Sequence, residues 1–207
     1  IWDRLAAKGL DGRCYFSDIP FNSLWGPRYA PITRPYSSFL QDCAAGTLPD
    51  VAFVDPPFNG EDSGTSSDDH PHGDIRAGER WLYDTYRAVT TGPEWKSTVL
   101  VINFDEWGGF FEHVPPTEAP DVSAALRMRG FRVPCLVVSP FSSRGAIATG
   151  TYDHTSVLKM IEWRWNLKPL SVRDAAANNL AEVLDFSNPS LLAPDYAVPA
   201  VAPAACP

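Results

Sequence analysis

Histidine and cysteine are scarce in this sequence, and long apolar runs are missing. Only four residues of each kind occur among 207. The CxxC pairs that a zinc ribbon needs are absent, because the cysteines are widely separated at Cys14, Cys43, Cys135 and Cys206. One or two disulfides remain an alternative for these cysteines, although the apolar run VPCLVVSP favours a buried free thiol for Cys135. No apolar stretch is long enough to predict a membrane-spanning helix.

An excess of positive charge is also missing. The chain carries 17 Lys and Arg against 25 Asp and Glu, a formal net charge of -8, which argues against nucleic acid as a partner. Neither a GxSxG elbow nor a glycine-rich phosphate loop is found. A small phosphate ester stays open as a substrate, because it needs only local positive charge or a metal. A glycosidase would use two carboxylates, but that interpretation leaves the histidines unexplained.

The first residue is Ile1, and IWDRLAAKGL has the pattern of an amphipathic helix rather than a signal sequence. We therefore expect this sequence to begin inside a longer protein. Its length is sufficient for one substantial core. We divide it into a domain portion over 1–186 and an Ala/Pro-rich extension over 187–207.

Short apolar runs alternate with helical patterns along the domain portion. The strands are predicted at 13–16, 51–54, 97–104 and 132–138, and the helices at 2–8, 36–45, 74–89, 153–165 and 174–184. Loops are predicted at 17–35 and 55–73. The nearly unbroken apolar run STVLVINF at 97–104 is typical of a fully buried strand in a parallel sheet. The alternation predicts an α/β layered sandwich with a largely parallel central sheet.

Two carboxylates, Asp105 and Glu106, directly follow that apolar strand in the segment FDEWGGFFEH. Ligands bind at the carboxyl ends of strands in open α/β sheets. Adjacent residues of a strand point to opposite faces, so the pair converges only if the chain turns at once, and Trp107-Gly108-Gly109 supplies that turn. A solvated strand end is the alternative.

Every histidine lies in or beside an acidic motif. These motifs are Asp68-Asp69-His70-Pro71-His72, Glu112-His113 and Asp153-His154. Carboxylates and imidazoles together hold divalent metals and move protons. Each motif also has a structural interpretation: His113 and His154 could pack, Asp153 could cap a helix, and the first motif could be a flexible acidic loop.

The motif DEWGGFFEHVPP at 105–116 resembles the signature YDExGGFxDHVxPP of a phosphoesterase family. That family includes non-haemolytic and non-specific phospholipases C and certain acid phosphatases. Phe104 and Glu112 replace its tyrosine and second aspartate. Three further stretches are similar and follow in family order: DDHP at 68–71, RVPCLVVSPFSSRG at 132–145 and YDHTSVLKMIE at 152–162. The resemblance covers about 45–186.

The resemblance implies an alkaline-phosphatase-like fold and a metal-dependent phosphoric ester hydrolase that forms a Ser or Thr phospho-enzyme. It implies that Asp105 and Glu106 bind a divalent metal, whether Ca, Zn, Mg or Mn. Asp69, His70 and His154 are the implied catalytic residues. His113 and Asp153 are the candidate substrate-binding residues, with loop packing as the alternative for His113.

The family's E-N metal motif and its Ser or Thr nucleophile do not occur here, so the sequence resembles only the C-terminal half of such an enzyme. We therefore expect the N-terminal half as a partner, a phosphate ester or phospholipid head group as the substrate, and a secreted, periplasmic or cell-envelope location. The alternative is a non-catalytic binding or structural module. The aromatic segments FNSLWGPRY and EWGGFF either meet a lipid head group or belong to the core.

Overall fold

The computed structural model describes residues 1–198, which form two compact units. The first unit contains residues 1–8 and 99–190, and the second contains 9–98 and 191–198. Each unit thus combines segments that are far apart in the sequence. The predicted boundary between 186 and 187 stays a prediction.

A three-stranded parallel sheet lies at the centre of the second unit. Its strands are β1 (Gly12–Phe16), β2 (Thr33–Pro35) and β3 (Val51–Val54), in the order β2-β1-β3. The central strand is the best buried, with Tyr15 fully inaccessible to solvent. The parallel pairing and the mixture of helices and strands confirm the predicted α/β class.

Two helices complete the second unit, α2 (Tyr36–Ala45) and α3 (Ile75–Thr91). Helix α2 buries Phe39 and Cys43 and ends at Gly46, which has the left-handed φ of 68° that glycine adopts without strain. Helix α3 begins after Asp74, whose side chain accepts the N–H of Arg76. Both ends were predicted, because capping signals are local.

The last described residues of the chain also pack in the second unit. The Trp95 indole N–H donates to the Leu191 carbonyl over 3.1 Å, and the Tyr86 hydroxyl donates to the Pro194 carbonyl over 2.7 Å. This part of the Ala/Pro-rich extension is therefore tied to α3 and the turn that follows it.

The first unit contains α1 (Trp2–Ala7), β4 (Leu100–Asn103), β5 (Cys135–Val138), α4 (His154–Trp165) and α5 (Val172–Ala176). Strands β4 and β5 pair antiparallel, with Leu100 opposite Val138. The prediction of a fully buried parallel strand at 97–104 is wrong, because the strand is shorter, antiparallel and only half-buried. Its apolar composition does not reveal which neighbour the strand takes.

Three other local predictions differ from the structure. The expected helix at 174–184 is replaced by α5, which starts earlier at the Ser171 capping box, and a separate 3₁₀ turn at Leu180–Val183. The expected loop at 17–35 contains a kinked 3₁₀ segment, Phe21–Ile32, followed by β2. Cys135 is exposed rather than buried.

Cys14, Cys43 and Cys135 are free thiols, whereas Cys206 lies outside the described residues. Among the helices at 1–198, none is long and apolar enough to cross a bilayer.

Candidate functional site

The acidic pair at the end of β4 lies on the predicted turn. Asp105 and Glu106 are both exposed, and the Glu106 carboxylate accepts the N–H of Gly108 over 2.8 Å. Gly108 and Gly109 have φ values of 71° and 76°, a left-handed conformation that strains other residues. The glycine pair therefore turns the chain at once after the two carboxylates.

His154, the first residue of α4, is held against the same segment. Its Nε2 lies 2.8 Å from the carbonyl oxygen of Phe104, the residue before Asp105. A carbonyl can only accept a hydrogen bond, so Nε2 carries the proton and donates. Nδ1 makes no hydrogen bond within the part of the chain that the structure describes. The structure thus joins two motifs that lie 50 residues apart.

Asp153 fixes the start of α4 and so the place of His154. Its carboxylate accepts the N–H of Thr155 over 2.9 Å and the Nε–H of Arg129 over 2.9 Å, and it forms a capping box with Ser156. Burial disfavours the ionised carboxylate, but the hydrogen bonds from Thr155 and Arg129 outweigh it and lower the pKa of Asp153. The helix-capping interpretation is confirmed, and substrate binding by Asp153 stays a prediction.

The loop that carries His113 is anchored by its neighbour Glu112. The Glu112 carboxylate accepts two hydrogen bonds from the Arg132 guanidinium, both 2.8 Å long, and one from the Val114 N–H. The hydrogen bonds from Arg132 are the main reason that the pKa of Glu112 is lowered to about 2. His113 lies 3.2 Å from Glu112, but its side chain is 76% exposed, so it contributes little packing.

This anchor was not predicted, because nothing in the sequence spacing pairs Glu112 with Arg132. The loop presents its aromatic side chains outward: Phe110 is 68% and Phe111 93% exposed. Trp107 packs edge-on against Phe131, with the ring centroids 4.8 Å apart. The aromatic residues of EWGGFF are therefore mainly surface residues.

Asp69, in the second unit, lies tightly packed against helix α3. It has a left-handed φ of 65°, and its carboxylate lies directly over Gly78 of α3, where an added Cβ would be 2.0 Å from Oδ1. Oδ1 is buried and has no hydrogen-bond partner in the described residues, and the same holds for Oγ of Ser66. Burial, followed by the charges of Glu79 and Asp68, raises the pKa of Asp69 to about 6.

His70, next to Asp69, is exposed and has a defined tautomer. Its Nδ1 lies 2.6 Å from the Pro71 carbonyl, so Nδ1–H donates and Nε2 is the nitrogen that faces Glu61, at 3.9 Å. The backbone N–H of His70 donates to Asp68. The catalytic roles predicted for Asp69 and His70 stay predictions.

A divalent metal ion needs several protein ligands at once. Such an ion takes four or more ligands from carboxylate, imidazole or similar groups. Within residues 1–198, no group of three or more His, Cys, Asp or Glu side chains is arranged to hold one. Asp105 and Glu106 offer two carboxylates, so they fit a metal only as part of a larger ligand set.

Comparison with known proteins agrees with the sequence motifs. The chain is 29% identical to non-specific phospholipase C6 of Arabidopsis thaliana over 98% of its own length and 44% of the relative's. It is 30% identical to non-specific phospholipase C1 of the same plant, with coverages of 86% and 38%. Phospholipase C B of Mycobacterium tuberculosis is 33% identical, with coverages of 73% and 32%.

The chain therefore spans less than half the length of these relatives. The model of the phosphoesterase family matches residues 21–168, which is most of the chain. The chain belongs to the phosphoesterase family.

Proposed function

We propose that this chain is part of an enzyme that hydrolyses phosphoric esters, with phospholipids as the substrate class. Family membership and the phospholipase C names of the relatives support the proposal. The observation that carries it is the hydrogen bond between His154 and the Phe104 carbonyl, which brings an imidazole to the start of the acidic pair. Because the chain spans less than half of its relatives, the activity is proposed for the longer enzyme.

His154 is the proposed proton-transfer group. Its Nε2–H is committed to the Phe104 carbonyl, so Nδ1 is the ring atom that can hold a proton and give it to the leaving alcohol. The capping box of Asp153 and its ion pair with Arg129 fix the helix end on which the ring is mounted. Asp153 thus acts as a positioning residue in this proposal.

Asp105 and Glu106 are the proposed metal ligands of this chain. Carboxylate oxygens suit hard divalent cations, and the left-handed glycine turn follows directly after the two acidic residues. A bound metal would polarise the phosphoryl oxygens. We place the remaining ligands and the Ser or Thr nucleophile in the part of the enzyme outside this chain. Which of Ca, Zn, Mg or Mn binds would be measured by metal analysis of the purified enzyme.

The test uses the enzyme that contains this chain and the variants His154→Ala and Asp105→Asn. Proton transfer by a positioned side chain contributes roughly 100-fold or more to the rate, so we expect His154→Ala to lose at least that factor in kcat. We expect Asp105→Asn to lower kcat as well, because it removes a charged oxygen from the proposed metal site. Substrates are p-nitrophenyl phosphate and a phosphatidylcholine micelle. The matched control is Glu118→Gln, which alters an exposed acid of the same unit.

Melting temperatures close to the wild-type value would show that the site, and not the fold, was damaged. Near-wild-type rates in both variants would remove the site assignment. An enzyme that contains this chain and turns over neither substrate with any of the four metals would favour the non-catalytic module. We expect residues 1–207 alone to be inactive. Metal-dependent turnover by the isolated chain would contradict the proposal that residues outside this chain complete the site.

A further inference from the structure

Three large apolar side chains project from the surface of the second unit. Phe21, Leu24 and Trp25 are 48%, 72% and 57% exposed, and we call these three residues the apolar wedge. They lie in the kinked 3₁₀ segment Phe21–Ile32, whose φ and ψ leave the helical region at Trp25. The rings of Phe21 and Trp25 contact each other edge-on, with centroids 6.2 Å apart. The wedge is thus a group of exposed apolar side chains that includes one ring contact, and the core alternative for these side chains of FNSLWGPRY is wrong.

The wedge has a fixed support beneath it. Asn22 is buried and donates its amide N–H to the Thr33 hydroxyl over 2.7 Å, and that hydroxyl donates to the Tyr29 carbonyl over 2.7 Å. These hydrogen bonds fix the side of the turn that faces the unit. The exposed side chains of the wedge are therefore held on the opposite side.

The chain around the wedge has an unusual charge. Residues 19–41 contain no acidic residue, whereas Arg28 and Arg34 are both in this range. The whole chain has a formal net charge of -8, so this stretch is a local exception. Both arginines are exposed, and the Arg28 guanidinium carbon lies 5.5 Å from the centre of the Tyr29 ring. The formal charge of this stretch is therefore positive, which is complementary to a negatively charged surface.

We propose that the apolar wedge inserts into the interfacial layer of an anionic phospholipid surface, with Arg28 and Arg34 facing the head groups. Tryptophan, phenylalanine and leucine beside basic residues are the side chains that bind at this layer. The inference rests on the proposed function, because a phospholipid substrate is presented at such a surface. It assigns a role to residues that lie outside the candidate catalytic groups.

The test is flotation of the chain with vesicles of phosphatidylcholine, with and without phosphatidylglycerol. The double variant Leu24→Ser/Trp25→Ser should bind about tenfold more weakly or worse, because two apolar side chains no longer leave water. Arg28→Gln should lose only the gain in binding that phosphatidylglycerol provides. The matched control is Ile75→Ser, which removes an apolar side chain that is 63% exposed in the same unit, and it should bind like the wild type.

Equal binding of the double variant and the wild type would overturn the proposal. So would a double variant that changes the sedimentation of the chain without vesicles, because the wedge would then join two copies of the chain. Hydrolysis of p-nitrophenyl phosphate by the full enzyme is measured separately. Wedge-dependent binding without any hydrolysis refutes only the proposed function, and hydrolysis without wedge-dependent binding refutes only the present inference.

Discussion

Replacing Glu162 with glutamine should stabilise the protein at pH 8 much more than at pH 5. Glu162 of α4 and Asp174 of α5 form a buried acidic pair, being 3% and 1% exposed. Asp174 accepts the N–H groups of Leu170 and Ser171, and neither oxygen of Glu162 accepts a hydrogen bond from residues 1–198. Burial, followed by the neighbouring Asp174, raises the pKa of Glu162 to about 7.

The size of the effect follows from the two pKa values of Glu162. The ordinary value of 4.5 applies to the unfolded chain, so between pH 4.5 and about 7 the folded protein keeps a proton that the unfolded chain has lost. This retained proton stabilises the folded protein. Its contribution is complete below pH 4.5 and is lost as pH rises, by about 1.4 kcal/mol per pH unit. Glutamine has no proton to lose, so the gap between the variant and the wild type should widen by about 2.5 kcal/mol from pH 5 to pH 8.

Urea unfolding at the two pH values measures this gap directly. In thermal unfolding, the same energy corresponds to a relative shift in Tm of about 5 to 10 °C for a chain of this size. Glu118→Gln, at an exposed position of the same unit, is the control and should show no such widening. A gap that is the same at pH 5 and pH 8 would refute the reasoning, whatever its absolute size.

Two further predictions check contacts that the structure reveals. Gly78→Ala should destabilise the protein by about 1–3 kcal/mol in urea, because its Cβ would collide with the Asp69 carboxylate; Asp69→Ala in the same chain should restore the loss. Alanine normally stabilises a helix relative to glycine, so a gain in stability from Gly78→Ala alone would contradict the described geometry. Asp153→Ala should cost about 1–2 kcal/mol in thermal unfolding, because α4 loses its cap; a change as small as that of Glu118→Ala would disprove this role.

The helices were the most predictable part of the fold. Gly46 ends α2 and Asp153 begins α4 where the sequence predicts, because a cap depends on residues within one turn of the helix. Strands β1, β3, β4 and β5 were predicted close to their observed places, whereas β2 lies in a predicted loop and the antiparallel pairing of β4 with β5 was not predicted. The apolar run at 97–104 is compatible with either neighbour, and its partner β5 begins more than thirty residues later.

The candidate site also has a part that was predicted from the sequence and a part that was not. The turn at Gly108 and Gly109 was predicted from the glycine pair alone. The hydrogen bond from His154 to the Phe104 carbonyl was not, because it joins a side chain to a backbone atom and no residue type identifies such a partner. The contact of Asp69 with Gly78 was not predicted either, because it depends on the absence of a side chain at Gly78, which makes room for the carboxylate.

Both units are assembled from separated segments, and this affects how the chain can fold during synthesis. Leu5, in the eight residues that open the first unit, is 1% exposed, and the rest of that unit begins at Val99. The second unit uses the Tyr86 hydroxyl and the Pro194 carbonyl, 108 residues apart. Contacts of such sequence separation form late and slow folding. We therefore expect neither unit to close on the ribosome until almost the whole chain has emerged, which leaves its apolar surfaces to chaperones in the meantime.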